Sequence, residues 1–447
     1  MKNTIYSIII ILALVLITNS LNAMQISDLR KEGHYYVATI EQNFEVKPGG
    51  KLLMEKVNGD ISITSWNKNE VHIREIRKMD VFTKGEAETA LEKANVGYRQ
   101  EGNTVIIGGA SYYRDWMQST FTIQVPAKFS LDVSTQGGDI DVNSIEGEIK
   151  LATSGGDIDL ADITGNADVK TSGGDLSLKK INGELVAKTS GGDIDASDIS
   201  ASASVATSGG DIELTGIKGA VKATTSGGDI DVRQCDSEVS LNTSGGDITV
   251  SGVGAGLHAS TSGGDIDVRQ VKGEISLNTS GGDIQVSGTG GPLTVNTSGG
   301  DIEAQNIQIG AKANTAGGDI ELGDVKGFIE ANTAGGDIEG QITLEDFSKD
   351  HHATMNTAGG DLTLTIPANM PASIRAKIKI RDGGWEDYNI YSDFPIKIES
   401  DSSTDEDKSW RRREGEIQAS GDINGGGDLL QLETVNGNIY IKKLNLK

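Results

Sequence analysis

The most constraining feature of this sequence is a Gly-Gly-Asp triplet that recurs every 18 residues from Asp139 to Asp337. Twelve copies keep this spacing without a break, and a thirteenth, ending at Asp361, follows after 24 residues. Self-similarity at a fixed period is typical of repeat proteins, in which each unit stacks on its neighbours. The sequence therefore predicts a stack of like units across its centre.

Each unit reads as two short strands. An apolar residue follows the Asp at once, and further apolar residues come three and six positions after the Asp in most copies, as at Ile266, Val268 and Val271. A second alternating stretch then leads into a Thr, as in Ile275–Thr279. Apolar and polar residues alternate in this way along a β-strand. The predicted fold is all-β, a single-stranded parallel β-solenoid (β-helix) of 18-residue coils.

The winding of this solenoid is expected to be right-handed, as parallel crossovers usually are. Coils of 18 residues also occur in left-handed solenoids. The Gly pairs are interpreted as structural turn residues, because stacked turns leave no room for a Cβ at a position of positive φ. The turn residues singled out are Gly155, Gly156, Gly245, Gly246, Gly281 and Gly282. Cys235 stands in a column of Ile and Val and is predicted to be a small buried hydrophobe rather than a reactive thiol.

The N-terminus reads as a signal peptide over residues 1–23. Lys2 precedes an apolar run, Ile5–Ile17, and Ala23 offers a small residue for cleavage. The run is shorter than the ~20 residues of a membrane span. Export to the periplasm, the outer surface or the medium is expected, with no membrane span after the signal is removed. The alternative is a retained N-terminal anchor.

Composition narrows the class of protein further. The single cysteine excludes an internal disulfide. A formal charge of −25 argues against binding to nucleic acid. The 59 Gly and 6 Pro indicate many tight turns rather than collagen or a Pro-rich linker.

Both ends of the repeat differ from its centre, because no aromatic residue lies between Phe129 and Phe328. A bare solenoid end is an unpaired sheet edge and needs a cover. Residues 24–130 are predicted to form a β-rich N-terminal capping module with one short helix near 85–96. The solenoid is predicted over 131–366, and a β-rich C-terminal cap with degenerate coils over 367–447. Val435-Asn-Gly-Asn-Ile-Tyr-Ile echoes Val57-Asn-Gly-Asp-Ile-Ser-Ile, which places degenerate coils at both ends.

Four motifs carry a resemblance to a known family. They are Phe44-Glu-Val-Lys-Pro-Gly-Gly, Gly59-Asp-Ile with Trp66-Asn-Lys-Asn-Glu-Val, the Thr-Ser-Gly-Gly-Asp runs, and Gly421-Asp-Ile-Asn-Gly-Gly-Gly. Together they resemble the bacterial putative-adhesin family of β-strand repeat proteins, a family of unknown function that is similar to auto-transporter-like adhesin heads. The resemblance covers nearly all of the mature chain. It implies a solenoid in the cell envelope, with no catalytic residues; some members are linked to envelope-stress sensing.

The acidic columns are the sharpest candidate for chemistry. The motif Asp residues stack, and a second acidic column lies two residues further on. Like charges ~4.8 Å apart repel by about 1 kcal/mol in water and by several times more near a protein surface. Bound Ca²⁺ would relieve this repulsion; the alternative is that each Asp accepts backbone N–H bonds at its turn. The candidate calcium ligands are Asp157, Asp159, Asp193, Asp195, Asp229, Asp231, Asp265 and Asp267.

Two other features are candidates for binding. A polar column that includes Asn242, Asn278 and Asn296 reads as a structural Asn ladder or as a flat binding face. Glycan sites usually contain aromatic platforms, so sugar binding is expected, if anywhere, at aromatic residues near the ends. These aromatic residues are Trp116, Trp385, Tyr388 and Tyr391, with a cap core as the alternative interpretation.

Catalysis finds little support in the sequence. The carboxylates are spread evenly along the repeat, and the five His residues show no zinc-ligand spacing. His351 and His352 are expected in a solvated loop, the one irregular turn. The favoured function is an exported, non-enzymatic envelope protein, an adhesin or binding scaffold whose partner is an unknown protein or glycan of the cell surface. The alternatives are a periplasmic stress-sensing or regulatory module, a Ca²⁺-binding solenoid, and a carbohydrate-active enzyme.

Overall fold

The computed structural model describes residues 25–93, 96–109, 116–381, 388–401 and 415–444. The predicted signal peptide, Trp385 and most of the charged segment at 401–413 lie outside these residues. The first part of the chain holds nine strands and one helix. They are β1 (Gln25–Ile26), β2 (Arg30–Glu32), β3 (Tyr35–Glu45), β4 (Gly50–Val57), β5 (Gly59–Trp66), β6 (Glu70–Asp80), α1 (Lys84–Lys93), β7 (Val96–Glu101), β8 (Thr104–Gly109) and β9 (Met117–Pro126).

The repeat region consists of two strands per coil. These are β10 (Phe129–Thr135), β11 (Ile140–Glu146), β12 (Ile149–Ala152), β13 (Ile158–Thr164), β14 (Ala167–Lys170), β15 (Leu176–Asn182), β16 (Leu185–Lys188), β17 (Ile194–Ile199), β18 (Ala203–Ala206), β19 (Ile212–Ile217), β20 (Val221–Thr224), β21 (Ile230–Cys235), β22 (Val239–Asn242), β23 (Ile248–Val253), β24 (Leu257–Ser260), β25 (Ile266–Val271), β26 (Ile275–Asn278), β27 (Ile284–Thr289), β28 (Leu293–Asn296), β29 (Ile302–Ile307), β30 (Gly310–Asn314), β31 (Ile320–Val325), β32 (Phe328–Asn332), β33 (Ile338–Ile342), β34 (Ala353–Asn356) and β35 (Leu362–Pro367).

Six strands complete the described chain: β36 (Ala372–Ile380), β37 (Ile390–Ser392), β38 (Lys397–Asp401), β39 (Gly415–Ile423), β40 (Asp428–Val435) and β41 (Ile439–Leu444). Successive coils pair in parallel at a constant register of 18 residues, so that Ile230 lies beside Ile248 and Val239 beside Leu257. One strand of each coil joins one long sheet and the other strand joins a second sheet. The predicted all-β parallel solenoid is confirmed, whereas its right-handed winding remains a prediction.

The core is a stack of identical layers. In the coil that contains Cys235, the side chains of Ile230, Val232, Val239 and Leu241 point inward and are at most 2% exposed. The same columns are buried in neighbouring coils, and they form one continuous apolar cluster along the stack. At ~4.8 Å per coil the stack is roughly 75–80 Å long.

Eleven successive coils, from that of Asp139 to that of Asp319, turn a sharp corner five residues after the motif Asp. The residue at this position has a positive φ between 49° and 82°. The column consists of Ser144, Asp162, Lys180, Asp198, Gly216, Gln234, Gly252, Gln270, Gly288, Asn306 and Asp324. The left-handed conformation turns the backbone between two strand segments, and the next residue points inward again, as Cys235 does.

At both ends of the stack, the order of the layers differs from the order of the strands in the chain. At the N-terminal end, β4 and β5 form a coil that lies between β8–β9 and β10–β11, although β8–β9 come later in the chain. At the C-terminal end, β40 and β41 form a coil that lies between β34–β35 and β36–β37. We call these two the intercalated coils. The two echoing motifs, at 57–63 and 435–441, are the corners of these coils.

Antiparallel strands cover the outer edges. β9 pairs with β6, and β6 with β3, at one end, whereas β36 pairs with β39, and β39 with β38, at the other. Helix α1 packs on a small cluster that includes Ala38, Met79 and Met117. The limits of the two caps at 130 and 367 remain predictions, although hydrogen-bonded coils continue past both positions.

Candidate binding surfaces of the rod

The motif Asp residues form a hydrogen-bonded ladder along the rod. In each repeat coil, Oδ1 of the motif Asp accepts the backbone N–H of the next motif Asp at 2.7–2.9 Å. The ladder continues into the intercalated coils, where Oδ1 of Asp60 accepts from Asp139 at 3.3 Å and Oδ1 of Asp361 accepts from Asn438 at 2.6 Å. Each carboxylate therefore joins two coils rather than closing its own turn.

The structure places the eight candidate calcium ligands in two columns. Asp157, Asp193, Asp229 and Asp265 belong to the Asp ladder. The second column, which holds the other four, is interrupted by Ser177, Thr249 and Gln285.

Arginine side chains neutralise part of the negative charge of the second column. Asp231 pairs with Arg233, and Asp267 pairs with Arg269 at 2.7 Å. Across the described part of the chain, no three carboxylate, imidazole or thiol side chains converge in a way that could hold a metal ion. Calcium binding by these columns remains a prediction.

The Gly pairs differ from the expectation at one point. Neither residue of the pairs at 155–156, 245–246 and 281–282 has a positive φ, because the left-handed position lies in the corner column instead. The second Gly is nevertheless required: a Cβ on Gly246 would lie 2.1 Å from the carbonyl oxygen of Gly228. A Cβ on Gly245 would lie 3.4 Å from the nearest backbone oxygen, which is an ordinary contact.

The buried Thr column has a role that the sequence interpretation missed. Oγ1 of Thr243 donates to the carbonyl oxygen of Gly228 at 2.9 Å and accepts the N–H of Gly246 at 3.4 Å. Thr residues of the other repeat coils do the same, and all of them are buried. The invariance of this Thr within the repeat was the signal that could have revealed the role.

The Asn column is a true ladder only in the second half of the rod. The side-chain amide of Asn296 donates to Oδ1 of Asn278 at 3.0 Å, and the pattern continues through Asn314 and Asn332 to Asn356. Asn242 stands beside Thr224 and Ser260 and has no such partner among the described residues. These bonds fix the outward amides at the spacing of the coils.

The expectation of a solvated loop is wrong for His351, whereas His352 is partly exposed. His351 is 3% exposed, and its two ring nitrogens lie 2.7 Å from the carbonyl oxygen of Lys349 and 3.0 Å from that of Pro371. Its backbone N–H donates to Asp428 at 2.9 Å. His351 thus joins the insertion to the start of the C-terminal intercalated coil. The ring of His352 stacks on Phe328 with 5.2 Å between centroids.

The aromatic candidates serve mostly in the caps. Trp116 packs against the cluster under helix α1, and Tyr388 packs against the main core. Tyr391 is 49% exposed and stacks on Tyr440 at 5.0 Å. Tyr391 is therefore the one described candidate that offers a large exposed ring.

Two buried groups, Cys235 and Glu75, carry potentially reactive side chains. Burial raises the pKa of the Cys235 thiol, which contradicts a nucleophilic role. In the N-terminal module, Glu75 is fully buried and paired with Arg77, and it accepts a hydrogen bond from Ser119 at 2.8 Å. Burial and the neighbouring Glu75 raise the pKa of Tyr98, which bonds to the same carboxylate. This cluster ties β6, β7 and β9 together.

These features define the class: a parallel β-solenoid repeat protein with ladder-fixed polar faces. A family model for Toastrack DUF4097 matches residues 51–270 and 254–442, and the chain belongs to that family. The resemblance stated from the motifs is thereby confirmed. No curated protein matches the chain.

Three solved structures show a distant likeness. A putative adhesin from Bacteroides fragilis NCTC 9343 is 17% identical, with 60% of this chain and 96% of that chain covered and a TM-score of 0.23. A putative lipid binding protein from Parabacteroides distasonis ATCC 8503 is 15% identical, with 66% and 96% covered and a TM-score of 0.21. A putative cell adhesion protein from Clostridium sporogenes ATCC 15579 is 9% identical, with 90% and 99% covered and a TM-score of 0.14. TM-scores this low carry no argument about function.

Proposed function

We propose that this protein is an exported, non-enzymatic binding scaffold of the bacterial cell envelope, which holds a protein or glycan of the cell surface along its side. One observation carries the proposal: the outward Asp and Asn columns are fixed by hydrogen bonds between coils. Side chains that are already ordered lose little conformational entropy on binding. A long face of preorganised polar groups suits a binding scaffold.

The distribution of charged groups supports a non-enzymatic role. An active site needs a local cluster with perturbed chemistry. In the described residues the motif carboxylates repeat uniformly, and the one fully buried carboxylate, Glu75, is already satisfied by Arg77, Ser119 and Tyr98. The thiol of Cys235 is enclosed in the core.

The N-terminal sequence and the surface charge support export. Residues 1–23 read as a signal peptide, and the formal charge of −25 disfavours nucleic acid as a partner. The described residues contain no helix of the length and apolar character that crossing a membrane requires.

Cell fractionation and cell binding test this proposal. The full chain and a variant lacking residues 2–23 are expressed in a bacterial host, and intact cells are labelled with a membrane-impermeant reagent. We expect export that depends on residues 2–23, and we expect purified 24–447 to bind intact envelope surfaces in flow cytometry. Exclusive recovery from the periplasm, with no binding to cells, would instead favour a stress-sensing module.

A further inference from the structure

The outer surface of the rod alternates between long and short side chains over residues 230–308. In the left-handed corner column, Gln234, Gln270 and Asn306 alternate with Gly252 and Gly288. The outer repeat is therefore two coils, or ~9.6 Å along the rod, rather than one.

The neighbouring outward column alternates in the same phase. Two residues after the corner position stand Asp236, Gly254, Lys272, Gly290 and Gln308. The glycine coils form two furrows, and the coils with long side chains form three ridges beside them. Apart from Gln234, these residues line an open groove of about 700 Å³.

Packing of the core does not explain this alternation. The inward residues beneath the groove, which are Cys235, Val253, Val271 and Thr289, form one column and show no two-coil alternation. All four are at most 3% exposed. The inward residues show no two-coil alternation, whereas the outward residues alternate every second coil. The furrows therefore belong to the outer surface alone.

The groove offers many hydrogen-bonding groups and little net charge. The side-chain amides of Gln270 and Asn306 are exposed, and no hydrogen-bond partner for them occurs within the described residues. Asp236 and Lys272 are the only charged lining residues, and their charges cancel. In a chain with a formal charge of −25, this makes the groove a neutral, polar surface.

We propose that the groove binds an extended, uncharged glycan. This inference rests on the proposed function and names the ligand of that scaffold. Amides and backbone groups match a polyhydroxylated ligand, whereas an apolar ligand would leave them unpaired. Two chemically similar furrows, repeated along one line, suit a polymer whose sugar units also repeat.

The size of the groove disfavours a protein as the occupant. Five coils of ~4.8 Å and a width of about three residues give a face of roughly 240 Å². A stable protein interface needs about 800 Å² from each partner. Because the groove has no aromatic platform, we expect weak binding to each furrow, with an affinity that grows with the length of the glycan.

The corner column supplies matched variants for the test. Gly252→Gln and Gly288→Gln introduce the residue that the adjacent coils already carry in the same left-handed conformation. A Cβ on either glycine would have its nearest contact at 3.7 Å, so each Gln has room and fills its furrow, although the left-handed backbone strains each substitution. Gly216→Gln is the control, since Gly216 has a φ of 72° in the same column but lies outside the groove.

The experiment titrates purified 24–447 with neutral hexasaccharides of β-1,4-linked glucose, N-acetylglucosamine and xylose, and with anionic hexagalacturonate, by NMR or calorimetry. We expect at least one neutral hexasaccharide to bind with a Kd in the range of about 0.1–1 mM, equivalent to roughly 4–5.5 kcal/mol. The Gly252→Gln, Gly288→Gln double variant should weaken binding about tenfold or more at a temperature below the Tm of every variant. The control carries the same kind of left-handed strain and should bind like the parent chain.

Three results would overturn the groove proposal: no neutral hexasaccharide binds, only the anionic one binds, or the double variant binds as well as the parent. These failures are separable from failure of the proposed function. If the double variant still binds intact cells like the parent chain, the scaffold role stands and the groove is not its binding site.

Discussion

At the scale of single residues, backbone strain concentrates in the corner column. Eight of its eleven residues are not glycine, and each holds a positive φ. A left-handed residue with a Cβ costs about 1–2 kcal/mol, although Asn and Asp tolerate this conformation better than other residues.

Lys180→Gly is expected to raise the stability of the rod. Lys180 has a φ of 54°, and its ion pair with Asp162 is exposed and worth little. Relief of strain should exceed the entropy cost of glycine, with a net gain of about 0.5–1 kcal/mol. The urea midpoint measures the change. Lys179→Gly, at an extended strand position, is the control and should lower the midpoint; equal effects from both variants would refute the strain.

Gly246→Val should unfold its own coil and loosen the two neighbours, because its Cβ would overlap the carbonyl oxygen of Gly228. Gly245→Ala should change the Tm little, since its Cβ has room and its φ lies outside the left-handed region. Thermal unfolding followed by circular dichroism compares the two. Similar losses from both variants would show that the first Gly is required as well.

Asp141→Asn tests the electrostatics of the second acidic column. Burial and the neighbouring Asp159 raise the pKa of Asp141, so its ionisation is less favourable in the fold than in the unfolded chain. The stability that its protonated form contributes is therefore present below about pH 3.9 and lost as the pH rises through the raised value. We expect the variant to have a higher Tm than the parent at pH 7 and no gain at pH 3. A gain of equal size at both pH values would point to a cause other than ionisation.

At the scale of the strands and turns, the Thr and Asp ladders hold each coil to the next. Thr243 bonds both the previous coil and its own turn, and its side chain is 2% exposed. A buried carbonyl or N–H group that loses its partner costs about 1–3 kcal/mol.

Thr243→Val should accordingly destabilise the rod by about 1–3 kcal/mol, although Val has nearly the same shape. Thr243→Ser keeps the hydroxyl and should lose less than half as much. Hydrogen exchange at the amide of Gly246, which bonds to Oγ1, reports the loss locally. If Val and Ser behaved alike, the hydroxyl would contribute nothing and packing of the methyl group would account for the column.

At the scale of the whole molecule, the C-terminal intercalated coil is bonded on both faces. β40 pairs with β34 on one side and with β36 on the other, and β41 pairs with β35 and β37. His351 and Asp428 bind its first strand to the insertion. The last coil in the chain is therefore not the last layer of the stack.

Removal of residues 424–447 should open a layer inside the rod and expose two unpaired edges, and such edges promote aggregation. We expect the amides of β34 and β35 to lose protection from hydrogen exchange, whereas those near Gly246 keep theirs. Light scattering should show self-association. Unchanged protection in β34 and β35 would mean that the intercalated coil adds nothing to the layers beside it.

The repeat was predictable because the residues of a given column share the same environment, either buried or exposed. The alternation at Ile266 and Val268, and the small inward residue Cys235 after the corner, report burial directly. The position of the left-handed residue was not predictable from the Gly pairs, because Gln, Lys and Asp occupy it in most coils. His351 was predicted to be solvated but is buried among Lys349, Pro371 and Asp428. Pro371 and Asp428 are distant from it in the sequence and approach it only in the folded stack.

The order of the layers was also hidden from the sequence. The echo between Val57 and Val435 showed that coils recur at both ends, but parallel strands of similar composition can stack in any order. The short linkers at 127–128 and 368–371 allow the chain to pass over a layer that another segment fills.

The intercalated coils also determine how the rod would respond to mechanical force. At the free end of an ordinary solenoid, a tethered terminus peels the outermost coil away one bond at a time. Here a pull on Leu444 acts on a coil that is hydrogen-bonded to a layer above and to a layer below, so both ladders have to rupture. A rod closed in this way resists peeling from its C-terminal side, because rupture of one ladder alone does not free the coil.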